Sequence, residues 1–404
     1  MAKYLPEFGW DPVIITPQLP GRQEKRYNIV ETYYPGDVSA RLKERLRLKA
    51  EESFQKQIKI PRTLYERKQS PTTKAINLIK AVISYPDEQK GWLQPAIQAG
   101  TQLLNKQKFD AILSSSAPQT CHLIANALKS QHDVIWIADF RDLWTQNHYY
   151  SYIRIRRILE RRLELKTMGS ADALVTVSEP LAEELSKLHI GKLVVNIPNG
   201  YDPDEVVSLP LTKQFTITHT GTLYQGKRDP ALLFRAIYEL ISEGKIDEKL
   251  ISVRFFGAAE YWLEKAIKKY NLNQVVNLYP QVSREIALNK QRESQLLLLL
   301  NWDDPNEMGV YTGKLFEYLA ARRPILAVGN PRSVISELLK ETGSGIFPSG
   351  YEELKQTLEN FYNQYKLFGY VPYNGIQKKI EKYSHKEMAK RFALLMENLC
   401  EERR

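Results

Sequence analysis

Short apolar runs alternate with longer segments of helical period along nearly the whole chain, and this alternation restricts the fold more than any other feature. Apolar runs between polar turns suit strands buried on both faces, and such strands sit in parallel sheets with helices packed on either side. In the first half the runs fall at 13–16, 28–31, 111–114, 134–138, 173–177 and 193–197. In the second half they fall at 215–220, 252–257, 275–279, 295–300 and 324–328. Helical segments separate them at 119–129, 151–168, 180–188, 230–242, 259–270, 283–292 and 313–322, and another at 386–400 closes the chain. The pattern predicts an α/β protein with doubly wound sheets. Residues 197–210, IPNGYDPDEVVSLP, break the two series and read as a link between domains. A length of 404 residues agrees with two domains.

Several classes are set aside by composition. The longest clean aliphatic run, 296–300, is far below the roughly 20 residues of a membrane span. No basic-then-apolar start reads as a secretion signal. Two cysteines, Cys121 and Cys400, do not make a disulfide framework or a Cys-based zinc site, and they fit a reducing cytoplasm. Asp303 and Asp304 in NWDDPNE have no His or carboxylate cluster around them at ligand spacing, so no metal site is expected. The net charge of +10 is unevenly spread. Residues 41–74 hold eleven Lys/Arg against four acids, and residues 152–166 hold six against two. These two segments carry the whole excess, which implies either an anionic partner on the first half or two solvated helix faces. On the second segment a 100° wheel puts Ile155, Leu159 and Leu163 on one side and Arg154, Arg157 and Arg161 nearly opposite, an apolar side with a basic surface facing anionic lipid.

Two segments have the makings of a phosphate site. In VYTGKLFEYLAARRPILAV (310–328), Thr312 can cap a helix whose first turn holds Gly313 and Lys314. Free amides at a helix start, a glycine and an ammonium form a diphosphate cradle, and Glu317 lies one turn along on the face of Gly313, where it can accept from ribose hydroxyls. A capped amphipathic helix with an ion-paired glutamate fits the same residues. In the second segment the strand 215–220 runs into GTLYQGKR, where Gly221 lets the backbone approach a phosphate and Arg228 can fork two of its oxygens.

These motifs are similar to those of the GT-B glycosyltransferases, specifically the large retaining family four. The second half resembles the nucleotide-sugar domain through HTGTLYQGKRDPALLFRAI, LYPQVSREIAL and YTGKLFEYLAARRPILAV. The first half resembles the amino-terminal domain of a bacterial subfamily through YPDEQKGW, FDAILSSSAPQTCHLIANAL, WIADFRDLWTQN and ALVTVSEPLAEEL, with IPNGYD at the link. The resemblance implies two Rossmann-like domains facing across a cleft: an acceptor-side domain at 1–203, a nucleotide-sugar domain at 204–382, and a closing helix at 383–404 packing back on the first. It implies transfer of a sugar from a nucleoside diphosphate sugar to a hydroxyl acceptor, sugar or lipid-linked, without cofactor or metal. A cell-surface polysaccharide or glycolipid is the implied product. The cysteines and the basic first-half segments add an expected setting in the cytoplasm at the inner face of the membrane, with an anionic membrane surface and no nucleic acid as partner.

The resemblance also assigns residues. Glu317 matches the glutamate on the donor ribose, and Gly313 and Lys314 face the donor diphosphate. Gly221 and Thr222 form the glycine turn, and Lys227 and Arg228 are similar to the bases that offset the leaving diphosphate. Val282 sits where backbone groups read the base. Asp139, Arg141 and Asp142 end a first-half strand at the cleft, with Asp139 and Arg141 on the catalytic side. An Arg141–Asp142 structural pair is the plainer reading. His122 and the serines 114–116 face the same cleft by topology. Two departures stand out. The family often carries E-x7-E, yet Gly309 stands eight residues before Glu317, with Glu307 two places away. The text KYLPEFGW is usually preceded by a strand, a Pro/Gly-rich loop and most of a helix, about 25 residues. The chain is therefore expected to lack the first strand and glycine loop of its first domain. A GT-B sugar-nucleotide epimerase and a non-catalytic nucleotide- or partner-binding subunit remain as alternatives.

Overall fold

The structure, a computed structural model, describes residues 1–18, 27–45, 82–150, 153–224, 226–257, 261–306 and 308–403. It divides into two compact units, Ala2–Ile197 with Ala389–Arg404, and Pro198–Met388 with Met1. The basic segment 41–74 lies, beyond residue 45, outside the described residues, as does Glu307.

The first unit contains β1 (Val13–Pro17), β2 (Asn28–Thr32), α1 (Val38–Arg45), α2 (Leu93–Lys106), β3 (Ala111–Ser116), α3 (Thr120–Lys129), β4 (Ile135–Phe140), α4 (Arg154–Met168), β5 (Ala173–Thr176), α5 (Glu179–Leu188) and β6 (Leu193–Asn196). The segment before β1 contains a 3-10 turn at Leu5–Phe8, closed by Gly9 in the left-handed region. Strands β3-β4-β5-β6 form one parallel sheet, while β1 and β2 pair in parallel as a separate two-stranded sheet. Ile15 of β1 and Ile112 of β3 nevertheless pack on one apolar cluster of Trp92, Ala96, Ile124 and Leu128. The YPDEQKGW motif supplies the pins. Asp87 accepts from the Thr120 amide and hydroxyl, both at 2.7 Å, so α3 is capped from within the protein. Trp92 Nε1 donates to Thr32 Oγ1 at 2.6 Å.

The second unit contains β7 (Phe215–Thr220), α6 (Ala231–Ser242), β8 (Ile251–Phe256), α7 (Tyr261–Lys269), β9 (Val276–Tyr279), α8 (Arg284–Arg292), β10 (Leu296–Leu300), α9 (Gly313–Ala321), β11 (Ile325–Val328), α10 (Val334–Thr342), β12 (Gly345–Ile346), α11 (Tyr351–Phe368) and α12 (Gln377–Ile380). The last helix, α13 (His385–Glu402), starts here and continues into the first unit. The sheet order is β12-β11-β10-β7-β8-β9, all parallel. Its central strand shows why the run of five leucines is a strand. Leu296, Leu298 and Leu300 enter the core on one face, and Leu297 and Leu299 enter the core on the other.

Helix α4 contradicts the wheel. The residues turned inward are Arg156, Glu160, Glu164, Thr167 and Met168, whereas Ile155 is 67% and Leu159 47% exposed. Polar residues are stable inside because each has a partner. Arg156 Nε donates to Glu160 at 2.6 Å, and its Nη2 donates to the carbonyls of Ser84 and Pro86 at 3.1 and 3.0 Å. Glu160 accepts from Trp144 Nε1 at 3.0 Å. Glu164 accepts from the Thr145 amide and hydroxyl and faces His189.

Candidate functional site

In the second sheet the chain winds one way from β7, through β8 and β9, and the other way from β10, through β11 and β12. The crevice beyond the carboxyl ends of β7 and β10 is the place where open α/β sheets take ligands. Both motifs singled out from sequence end there. Gly221 follows β7 with φ of +122°, a conformation that other residues seldom adopt, and a Cβ on it would stand 3.1 Å from Lys314 Cε. The glycine turn and the start of α9 are therefore in contact, although 93 positions separate Gly221 from Lys314. Gly257 closes the same corner, since a Cβ there would lie 2.3 Å from the Gly221 carbonyl oxygen.

Helix α9 is held by its own cap and by its buried face. Thr312 Oγ1 accepts from the Lys314 amide at 3.3 Å. Tyr318 is wholly buried, its hydroxyl accepting from the Thr220 amide at 3.2 Å and donating to the Leu298 carbonyl at 3.3 Å. Burial pushes the Tyr318 phenol up to about 12, so it stays a neutral stitch between α9, β7 and β10.

Glu317 stands at the centre of the site, one quarter exposed. Lys314 Nζ lies 3.0 Å from its Oε2, and Gln291 Nε2 donates to the same oxygen at 2.9 Å. Gln291 is completely buried on α8 and donates also to Thr220 Oγ1 at 2.8 Å. Glu317 is thus ion-paired, and it also lines a pocket. That pocket has a volume of about 150 Å³ and lies between α8, α9 and the link segment, with Gly313, Glu317, Gln291, Arg284 and Glu205 in its wall. Arg284 holds Glu205 with two hydrogen bonds at 3.0 and 2.7 Å, and Arg292 donates to the Glu205 carbonyl. The Arg284 guanidinium keeps the Glu205 carboxyl below the usual carboxylate range. The IPNGYD text is explained by the same wall. Tyr201 exchanges backbone bonds with Tyr383 and His385, and a Cβ on Gly200 would lie 2.6 Å from the backbone of Ser384.

The other expected donor residues are not in the wall of this pocket. Lys227 Nζ sits 3.8 Å from the centre of the Trp302 ring, just past β10, and Arg228 lies over Tyr224 at 5.5 Å. Arg228 and Lys314 are close enough to add to the burial that lowers His219, on β7, to about 4. Thr222 is exposed on the glycine turn, and Val282 is half-buried in the connection between β9 and α8. Gly309 is buried in the connection from β10 to α9 and is not in the pocket wall.

The first-half residues have different surroundings. His122 was expected to face a cleft; it is instead wholly buried, bonded to Ser114 at 2.8 Å and packed on Phe140. Trp136 Nε1 donates to the same Ser114 hydroxyl at 2.8 Å. Burial drives His122 down to about 3, so it is a neutral core residue. Asp139 is 2% exposed, with Arg141 at 2.6 and 2.7 Å and Ser115 at 2.9 Å. Arg141 therefore pairs with Asp139 on its own strand end, where Arg141 with Asp142 had been the plainer expectation. Arg141 also donates to the Ile197 carbonyl at 3.3 Å and lies over Phe392 of α13, so it ties three segments of its unit together. Asp142 is exposed.

Sequence reasoning passed over Gln291, Arg284 and Glu205. One signal was available for Gln291: it follows Leu288, the other buried residue of α8, by three positions, which places an amide on the apolar stripe. Arg284 and Glu205 are 79 residues apart, and nothing local pairs them.

Residues 61–205 match the family model described as Glycosyltransferase Family 4. No curated protein matches the chain by sequence. Among solved structures, HepE of Anabaena in complex with UDP superimposes with a TM-score of 0.57 at 12% identity, over 76% of this chain and 82% of that one. Sucrose-phosphate synthase of Thermosynechococcus elongatus gives 0.53 at 14% identity, over 77% and 78%. The α,α-trehalose-phosphate synthase of Burkholderia xenovorans, in complex with glucose-6-phosphate, gives 0.54 at 12% identity, over 76% and 78%. These likenesses and the parallel sheets give the chain the GT-B fold of two Rossmann-like domains, and its residues 61–205 match the Glycosyltransferase Family 4 model.

Proposed function

We propose that the chain transfers a sugar from a nucleoside diphosphate sugar to the hydroxyl of a sugar or lipid-linked acceptor, with retention of configuration and without a metal or cofactor. The product belongs to cell-surface polysaccharide or glycolipid synthesis, and the protein works in the cytoplasm at the inner face of the membrane. The observation that carries this reading is the convergence of Gly221, Lys314 and Glu317 at the switch point. HepE is recorded with UDP and with UDP-glucose, a nucleotide and a donor of the class proposed here. The trehalose-phosphate synthase is recorded with a sugar phosphate.

In this reading Glu317 accepts from the ribose hydroxyls, and Gln291 holds the carboxylate in place. The amides at the start of α9 meet the diphosphate, helped by the helix dipole. The transition state is oxocarbenium-like, and the charge that grows is on the departing phosphate oxygen. Lys314, Arg228 and Lys227 offset that charge. The departing phosphate takes the acceptor proton, so no strong base is needed beside the sugar. Asp139 and Arg141 support their strand end.

The test is thermal unfolding with UDP, GDP and ADP, alone and as sugar conjugates, followed by product analysis. One nucleoside diphosphate should raise the melting temperature of the natural chain and leave Glu317→Ala unmoved. If none of the nucleotides shifts melting, the donor reading fails. If the nucleotide binds but the product has the inverted anomeric configuration, the retaining mechanism fails.

A further inference from the structure

The outward surface of α4 has a composition unlike an ordinary solvated helix. Both of its acids, Glu160 and Glu164, are turned inward and engaged by Arg156, Trp144 and Thr145. Its outer side therefore presents Arg154, Arg157, Arg161, Arg162 and Lys166 with no acid among them. Among the described residues Arg154, Arg161, Arg162 and Lys166 form no ion pair, and Arg157 stacks on Tyr150. Between these bases stand Ile153, Ile155, Ile158, Leu159 and Leu165, which are 51%, 67%, 54%, 47% and 41% exposed. At 100° per residue the order around the outer arc runs Arg161, Arg154, Leu165, Ile158, Arg162, Ile155, Lys166, Leu159, so cations and aliphatic side chains intermingle. Single exposed aliphatic residues need no explanation, but four on one helix, with Ile153 at its N-cap, form a patch.

We infer that this face of α4 docks the protein on an anionic phospholipid bilayer, lying in the plane of the interface. Each half of the pattern asks for a different part of that surface. Lipid phosphates suit five cations with no opposing acid, and the boundary of the acyl chains gives room for Ile155, Ile158 and Leu159. Long Arg and Lys side chains next to those residues can bury their stems and keep their heads at the phosphates. A nucleic-acid backbone would satisfy the charges and leave the aliphatic groups in water. The buried Arg156–Glu160 pair fixes which face is turned out, and the Tyr85 hydroxyl, donating to the Leu159 carbonyl at 3.3 Å, adds a further tie. This deepens the membrane-side part of the proposed function. It does not depend on the transfer chemistry, because lipid binding is read without turnover.

The full chain would be floated with phosphatidylcholine vesicles and with mixed phosphatidylglycerol–phosphatidylcholine vesicles, at low salt and at about 0.5 M salt, where screening is nearly complete. Two variants accompany it, Ile155→Ser/Ile158→Ser and Arg154→Gln/Arg161→Gln/Arg162→Gln, all at exposed positions. Binding should require phosphatidylglycerol, fall with salt, and drop by about tenfold or more in each variant. Nucleotide-induced melting shifts should be the same in both variants as in the natural chain, which separates this face from the donor pocket. Absence of binding to anionic vesicles at low salt would overturn the inference. So would undiminished vesicle binding by Ile155→Ser/Ile158→Ser, or preferential binding of duplex DNA or RNA that depends on the arginines alone.

Discussion

Gln291 Nε2 lies 2.9 Å from Glu317 Oε2 and 2.8 Å from Thr220 Oγ1, so one buried amide on α8 fixes a carboxylate on α9 and the end of β7. Glu317, one quarter exposed, is thereby held by more than its own helix. Its backbone is set by the helix, and its head is held from two sides by Gln291 and Lys314.

Removing that amide should weaken the donor site without unfolding the protein. A hydrogen bond to a charged group contributes about 1.5–3 kcal/mol, so Gln291→Leu should weaken nucleotide binding by roughly ten- to a hundredfold. Gln291→Glu should do more, because it sets a second carboxylate against Glu317. Calorimetric titration with the nucleotide that stabilises the natural chain is the measurement. Equal affinity in Gln291→Leu would show that Lys314 alone is enough.

Gly221→Ala brings two penalties together, a side chain at φ of +122° and a Cβ 3.1 Å from Lys314 Cε. A loss of about 1–3 kcal/mol in unfolding free energy is expected from the backbone conformation. Displacement of Lys314 should also reduce nucleotide binding. Urea titration of both proteins checks the first effect. An unchanged midpoint would mean that the turn has a second conformation available.

The buried Arg156–Glu160 pair in α4 should show strong coupling. Arg156→Leu leaves Glu160 inside without its cation and should cost about 3–5 kcal/mol. Arg156→Leu/Glu160→Leu should cost clearly less than the sum of the two single changes. A double-mutant cycle from chemical unfolding gives the coupling energy. A coupling near zero would mean that Trp144 and the Ser84 and Pro86 carbonyls hold the two side chains separately.

Acid should destabilise the protein through His122 and His219. Burial lowers them to about 3 and about 4 in the folded state, so each stays neutral while its unfolded counterpart takes up a proton near pH 6.5. Their contribution is complete above that value and is lost as pH falls toward the folded values, at up to about 1.4 kcal/mol per pH unit for each group. Stability measured from about pH 6 down to pH 4 should therefore fall less steeply in His122→Asn than in the natural chain. Parallel slopes would show that His122 is protonated in the native state.

The sequence alone determined the layout that local chemistry controls. Eleven apolar runs are the strands β1 to β11, and the Leu296–Leu300 run is a strand because its two sets of leucines serve two different cores. The Thr312 cap, the Gly221 turn and the placing of Glu317 one helical turn after Gly313 were legible for the same reason, since each depends on near neighbours. Strand β12 was not, as it has only two residues and exists by pairing with β11. The helices Leu93–Lys106, Val334–Thr342 and Tyr351–Phe368 also went unassigned. Tertiary structure decided the two matters that bear most on function. Which side of α4 faces in depends on partners as distant as Ser84 and His189, and those partners allow Arg156, Glu160 and Glu164 to replace an apolar stripe. The pocket beside Glu317 likewise depends on Gln291 meeting Glu317 and Glu205 meeting Arg284. Hydrogen bonds between segments leave no periodic mark on either one, so only the folded chain could reveal them.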